Sequence, residues 1–292
     1  MQETLAVASL AYSGLGLMTG LFNGMFGIGG GVVLTPGLMA IFPLLKIPEA
    51  HAIHLAVGTS LAYILVTSSV TSILYTKRGF GLNKEKAILI AMSVVGSFFG
   101  SFVALRSPSG VLRALLGLLE CGVGFQLLLT GPAKNIIGTF QESSKKKKGH
   151  IIGLGIIGWV GGVLSPLTGV GGGVVAVPAM ILILKMPYLQ AASGGAFMVI
   201  GSSLIATASF FLEGLRRGVG QGMGPHMTGF ISPLALLSLL PFGILGARLG
   251  TRLAMSTNPA WLQAFLGGVM IPVGLWLLTP LLPQVLHFME VI

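Results

Sequence analysis

Gly27-Ile28-Gly29-Gly30-Gly31-Val32-Val33-Leu34-Thr35-Pro36 returns 142 residues later as Gly169-Val170-Gly171-Gly172-Gly173-Val174-Val175-Ala176-Val177-Pro178, with seven of ten positions identical. A lone Gly-Gly-Gly carries little weight in a chain with 45 glycines among 292 residues. The same triplet with matched flanks in both halves of a very apolar chain reads as a duplicated membrane protein with a paired site.

Composition sets the class. Charged residues are 8% of the chain and hydrophobic residues 53%, against about 25% charged in an average soluble domain. The sequence has no Asp. Charge-free stretches run from Thr4 to Leu45, Ala50 to Thr76, Ala87 to Leu105, Gly149 to Leu184, Met186 to Leu212, Gly218 to Ala247 and Leu253 to Met289. Each is at least the roughly 18 residues that a spanning helix needs, and several are long enough for two passes. The N-terminal segment, with no basic region ahead of it, reads as the first membrane helix rather than a cleaved signal. The expected fold class is an all-α polytopic membrane protein, with no room for a soluble catalytic domain.

The formal net charge of +10 is a topology signal. The positive residues cluster at segment ends: Lys77, Arg78, Lys84 and Lys86, then Lys134 and Lys145 to Lys148. Neither a basic helix face nor an aromatic-rich groove accompanies them, so nucleic acid is not an expected partner. The lipid bilayer is. Cys121 is the only cysteine, which excludes intrachain disulfides and CxxC sites.

The repeat continues beyond the glycines. Lys46-Ile47-Pro48 matches Lys185-Met186-Pro187, and Lys77-Arg78-Gly79 matches Arg216-Arg217-Gly218, both at a separation of 139. Gly96 and Gly100 match Gly246 and Gly250 at 150. The expected organisation is a first membrane repeat over 1–131, a basic cytoplasmic connector over 132–150 and a second membrane repeat over 151–292. Helices are expected at 5–26, 32–45, 49–76, 86–105 and 109–130, with counterparts at 151–168, 174–185, 188–213, 229–254 and 259–282. The second of each set is short: about 14 residues reach about 21 Å, less than a hydrocarbon core of about 30 Å. The glycine run is therefore expected inside the membrane.

Parity gives orientation. The short segment and its neighbour return to one side whether they cross or turn back, and three further helices make each half cross an odd number of times. Two such halves in series are inverted relative to one another, the architecture of many secondary transporters. The loops at 77–86 and 131–150 hold nine of the 17 basic residues and are expected in the cytoplasm, with both termini outside. Arg216 and Arg217 then fall outside, retained by duplication.

A glycine-rich break at membrane depth needs its backbone groups satisfied internally, by water or by a ligand. Glycine permits positive φ angles that aim successive N–H groups inward, and the helix that follows begins with free N–H groups and a positive dipole end. Two such ends converging near the midplane suit a small anion. The expected substrate-binding residues are Gly27, Gly29, Gly30, Gly31, Gly169, Gly171, Gly172 and Gly173, with the side chains of Asn23, Thr35, Thr59, Ser165, Thr168 and Ser193; Ser60 lies beside them. Each hydroxyl taken singly is more often a helix-packing or back-bonding residue. His51, His54 and Glu120 are coupling candidates, since ionisable groups at or near membrane depth invite a functional reading. Arg248 near a helix end reads as a snorkelling side chain. The two histidines lack a third ligand, so no metal site and no cofactor is expected. Gly96/Gly100 and Gly246/Gly250 have small-xxx-small spacing, which reads as packing.

The paired phrases Gly24 to Pro36 and Gly162 to Pro178, the length near 290 and the basic connector resemble the TauE/SafE sulfite exporter family, also called domain of unknown function 81 or the 4-toluene sulfonate uptake permease family. The resemblance covers essentially the whole chain. It implies carriage of sulfite, an organosulfonate or a related sulfur oxyanion across a prokaryotic plasma (inner) membrane, without an ATPase subunit and with proton or gradient coupling. The resulting expectation is a secondary transporter working by alternating access. The alternatives are a passive anion channel, a membrane-embedded enzyme and a non-transporting scaffold; the absence of Asp and of any nucleophile with a plausible base argues against the enzyme. A homo-oligomer is compatible with the sequence, which sets no oligomeric state.

Overall fold

A computed structural model describes residues 2–45, 47–81, 83–129, 147–219, 227–257 and 259–281. Most of the basic connector over 132–150 lies outside the described residues. The elements are α1 (Gln2–Phe26), α2 (Gly31–Ile41) followed by a 3-10 turn (Phe42–Leu45), α3 (Glu49–Thr76), α4 (Lys84–Ala104), α5 (Ser109–Leu129), α6 (Lys147–Thr168), α7 (Gly173–Leu182), α8 (Tyr188–Arg216), α9 (Pro233–Ser256) and α10 (Pro259–Leu278). The chain is an all-α polytopic membrane protein. Among the described residues six helices are long and apolar enough to span a bilayer, within α3, α4, α5, α6, α8 and α9. The helix expected at 229–254 begins at Pro233 instead, because Thr228 and Ile231 pair in an isolated bridge and the Ser232 hydroxyl accepts from Ala235 N as its N-cap.

α2 and α7 have 11 and 10 residues, about 16 and 15 Å of helix, half of what a crossing needs. Each carries a proline at its sixth position, Pro36 and Pro178, so one backbone donor is missing from each.

The halves are intertwined. α1 packs on α9 and α4 on α6; α3 meets α8 at the centre, and α5 meets α10. Exchanging α1 with α6, α3 with α8 and α4 with α9 converts the α1–α9 contact into the α4–α6 contact and the α4–α8 contact into the α3–α9 contact. Small residues allow the approach: Gly16, Gly20 and Gly24 on α1 face the backbone of Leu239, Gly243 and Ala247 on α9, while Gly96 and Gly100 on α4 face Trp159 and Val163 on α6. A Cβ at any of these would strike a carbonyl of the partner helix, as in other small-residue membrane crossings. α3 is the most buried of the six spans and α5 the least. Phe98, Phe99, Phe102, Leu118 and Phe125 stand exposed on α4 and α5, the apolar exterior that lipid requires.

Candidate functional site at the paired glycine turns

Each glycine turn begins where a helix closes. Gly27 N donates to Asn23 O at 2.8 Å and Gly169 N to Ser165 O at 2.9 Å, ending α1 and α6 at equivalent points. The chain then takes the same unusual path twice: φ is +65°, +92° and +77° at Gly27, Gly29 and Gly30, and +73°, +84° and +73° at Gly169, Gly171 and Gly172. Three left-handed residues in four positions are available only to glycine without strain. Gly30 and Gly172 serve as N-caps of α2 and α7 without any side-chain cap. The N–H groups of Gly30, Gly31 and Val32, and of Gly171, Gly172, Gly173 and Val174, have no acceptor among the described residues. Free N–H groups at the first turn are inherent to a helix start, and here both starts are buried.

The two turns touch. A Cβ on Gly31 would overlap Gly169 O and Val170 Cα, and one on Gly173 would lie 2.6 Å from Ile28 Cα. Ile64 of α3 and Val199 of α8 pack against both Gly29 and Gly171. The inward faces of α3 and α8 thus seat both turns: Gly27 lies against Ala192 and Gly169 against Val57. These pairs, Val57 with Ala192 and Ile64 with Val199, are each 135 residues apart, whereas the helix ends match at 139 in sequence. The difference is about one helical turn, because α3 starts eight residues before Val57, which faces a turn, and α8 only four before Ala192. Matching the ends therefore misassigns which residues of α3 and α8 face the motifs.

Every candidate side chain beside the turns is buried: Asn23, Thr35, Thr59, Ser60, Ser165 and Ser193 are 0% exposed and Thr168 is 1%. Asn23 bridges α1, its own turn and α3. Its Oδ1 accepts from Gly29 N at 3.0 Å, and its Nδ2 donates to Thr67 and Ser68 hydroxyls at 3.1 Å each. Thr35 and Ser60 both donate to Gly169 O, at 3.2 and 2.7 Å, tying the second turn to α2 and α3. Thr59 accepts from Ser232 N at 2.9 Å, Thr168 donates back to Leu164 O, and Ser193 donates to Phe80 O at 2.7 Å. Ser165 alone in this set has a hydroxyl with no partner.

A family model described as sulfite exporter TauE/SafE matches residues 12–277, which include both glycine turns. The chain belongs to the sulfite exporter TauE/SafE family. It is similar to the probable membrane transporter protein YunE of Bacillus subtilis (strain 168), 27% identical over 270 residues, covering 89% of this chain and 93% of the relative. It is also similar to the probable membrane transporter protein MJ0441 of Methanocaldococcus jannaschii, 26% identical over 267 residues with 90% and 93% covered. A probable membrane transporter protein of Xylella fastidiosa (strain Temecula1) is 27% identical over 270 residues, with 91% and 93% covered. No solved structure matches the chain. The TauE/SafE family and these relatives are named as membrane transporters rather than enzymes.

The coupling candidates of this TauE/SafE chain do not stand together. His54 packs its ring on Phe230 at 5.4 Å and Phe210 at 6.5 Å, and its Nε2 is buried without a partner. His51 lies at the partly exposed start of α3, 6.3 Å from Phe230. Glu120 is 0% exposed on α5, with neither carboxyl oxygen hydrogen-bonded. Arg248 is exposed. Arg217 caps the end of α4 by donating to Leu105 O at 2.8 Å while paired with Glu213 at 2.9 Å.

Lys86 is the residue whose place the sequence hides. Counted as a loop charge, it is instead only 5% exposed in the first turn of α4. Its Nζ donates to Phe80 O and Gly81 O, both at 2.7 Å, and to the Ser193 hydroxyl at 3.0 Å. The ammonium thereby fastens the 80–81 segment to α8. Its position three residues after Asn83, the N-cap of α4, was the available signal, since that spacing places a first-turn side chain beside the incoming loop.

Proposed function

We propose that this TauE/SafE protein is a secondary transporter that binds a small sulfur oxyanion, sulfite or an organosulfonate, where the glycine turns meet and moves it by alternating access. The observation that carries the reading is the pair of matching turns in mutual contact, each opening a short helix with buried, unpartnered N–H groups. Backbone donors at two helix starts stabilise an anion through hydrogen bonds and the dipole without a fixed counter-charge that would hold it permanently. The exchange of contacts between halves supports an inverted-repeat architecture, with the site near the midplane and the 77–86 and 131–150 loops on the cytoplasmic side. Glu120, a buried carboxyl with no partner, is the foremost group for proton coupling, ahead of His51 and His54.

The test is flux into proteoliposomes of the purified chain, offered sulfite, sulfate, thiosulfate and methanesulfonate with and without a pH gradient. Saturable uptake of one anion, accelerated by counterflow, supports a carrier. Non-saturable flux without counterflow replaces it with the channel reading, and no flux of any of the four removes the sulfur assignment. Leucine at Gly30 or Gly172 is a poor probe of the site, because a Cβ there overlaps Thr19 O or Gly161 O and the backbone is left-handed. Such variants report on folding.

A further inference from the structure

The two turns share a backbone but differ in what fills the space beside them. In the first, the Asn23 carboxamide oxygen receives Gly29 N at 3.0 Å and lies 3.4 Å from the Ser68 hydroxyl. Position 165 takes the place of Asn23, as the matching Gly27 N to Asn23 O and Gly169 N to Ser165 O bonds show. The 135-residue relation of α3 to α8 at the turns puts Ser203 in the place of Ser68. Serine has two fewer side-chain heavy atoms than asparagine, and its oxygen reaches one bond less far. Ser165 Oγ and Ser203 Oγ, both in residues 0% exposed, have no hydrogen-bond partner, nor does the buried Thr207 Oγ1 one turn further along α8. Gly171 N has no acceptor among the described residues, in contrast to Gly29 N. The turn's own carbonyls are already engaged, Gly169 O by Thr35 and Ser60, and Gly171 O by Ser202 at 3.1 Å.

From this difference we infer that one oxygen of the anion is seated by the second half, standing where Asn23 Oδ1 stands in the first. Asn23 is an internal stand-in for the ligand. Gly171 N–H and the Ser165 and Ser203 hydroxyls donate to that oxygen, and the remaining atoms of the anion lie toward the free N–H groups of Gly172 and Gly173 at the start of α7. Every group offered is a donor, backbone N–H groups cannot turn to accept, and the positive end of a helix dipole is added. That set selects an oxyanion over a cation. The site rests on the transport reading and sharpens it: the duplicated turns do different work, one locked by its own side chain and the other left to bind.

The experiment is titration of sodium sulfite into the purified chain in nanodiscs by calorimetry, with sodium phosphate as a non-sulfur oxyanion, beside sulfite uptake in proteoliposomes. Ser165→Ala and Ser203→Ala are each expected to weaken sulfite binding about 10-fold, the scale of one charge-assisted hydrogen bond. Ser165→Asn, which supplies the second turn with the stand-in of the first, is expected to weaken it by at least about 100-fold while raising the melting temperature. Ser209→Ala, which removes only a back-bond to Ile205 O, is expected to leave it unchanged. Unchanged affinity in both alanine variants means that those hydroxyls hold water only, and overturns the site while wild-type flux keeps the transport reading. Binding of phosphate as tight as sulfite retains the oxyanion site but removes the sulfur assignment. Absence of binding and of flux in the wild type overturns both. If Ser165→Asn does not fold, the alanine pair decides.

Discussion

The Gly27–Gly31 turn and the Gly169–Gly173 turn have φ angles that agree within about 10° at each left-handed glycine, yet one is bound by a neighbouring carboxamide and the other is not. The two turns share a backbone path that only glycine adopts without strain, and each packs on the other. The side chains one helical turn before the motif, Asn23 and Ser165, differ. Matching backbone geometry therefore coexists with unequal polar satisfaction.

The largest effect that tests the comparison is on the glycines themselves. Gly30→Ala and Gly172→Ala each place a Cβ on a carbonyl of a neighbouring helix, at positive φ, and each is expected to cost more than about 3 kcal/mol. Loss of the monodisperse peak on size-exclusion chromatography in detergent checks it; survival of one variant but not the other would show that the turns are not equivalent in packing. Next comes Asn23→Ala, which strands Gly29 N and the Ser68 hydroxyl and is expected to cost about 2 to 3 kcal/mol, against no more than about 0.5 kcal/mol for Ser165→Ala. Thermal melts in one detergent measure the pair, and equal losses would break the asymmetry.

A second comparison concerns the segments that lead into α4 and α9. Phe80 and Gly81 are held by the Lys86 ammonium, whereas Ser232 is held through its N–H by the Thr59 hydroxyl. Lys86→Met is expected to lower stability by about 2 kcal/mol and Thr59→Val by about 1 kcal/mol, because a charged donor makes the stronger bonds. A smaller loss for Lys86→Met than for Thr59→Val would reassign the lysine to the surface role that its sequence position suggests. A small effect is also expected for Arg217→Ala, under about 1 kcal/mol, since its partner Glu213 and the guanidinium are both partly exposed.

The helices were legible because hydrophobic length and glycine spacing are local properties. All ten expected segments coincide with observed helices to within about four residues, and the shortness of α2 and α7 follows from counting between Gly31 and Pro48 and between Gly173 and Pro187. The neighbours of the turns were less legible. Matching the ends of α3 and α8 gives the wrong facing residues, since one helix starts a turn early and sequence similarity at its ends does not sense how deep it sits. Lys86 looked like a topology charge because charge counting does not distinguish an ammonium at the membrane surface from one folded back onto two carbonyls.

By itself the sequence determined an apolar, helical, duplicated membrane protein whose paired glycines turn the chain at two short helices. Steric limits on φ and the length of an apolar run need no knowledge of distant residues. Only the tertiary structure decided that the turns touch, that Asn23 locks its own while Ser165, Ser203 and Gly171 remain without partners, and that Lys86 is buried. A hydrogen bond joins whichever groups the helix crossings bring within about 3 Å, and those crossings are set by the packing of all the described helices at once.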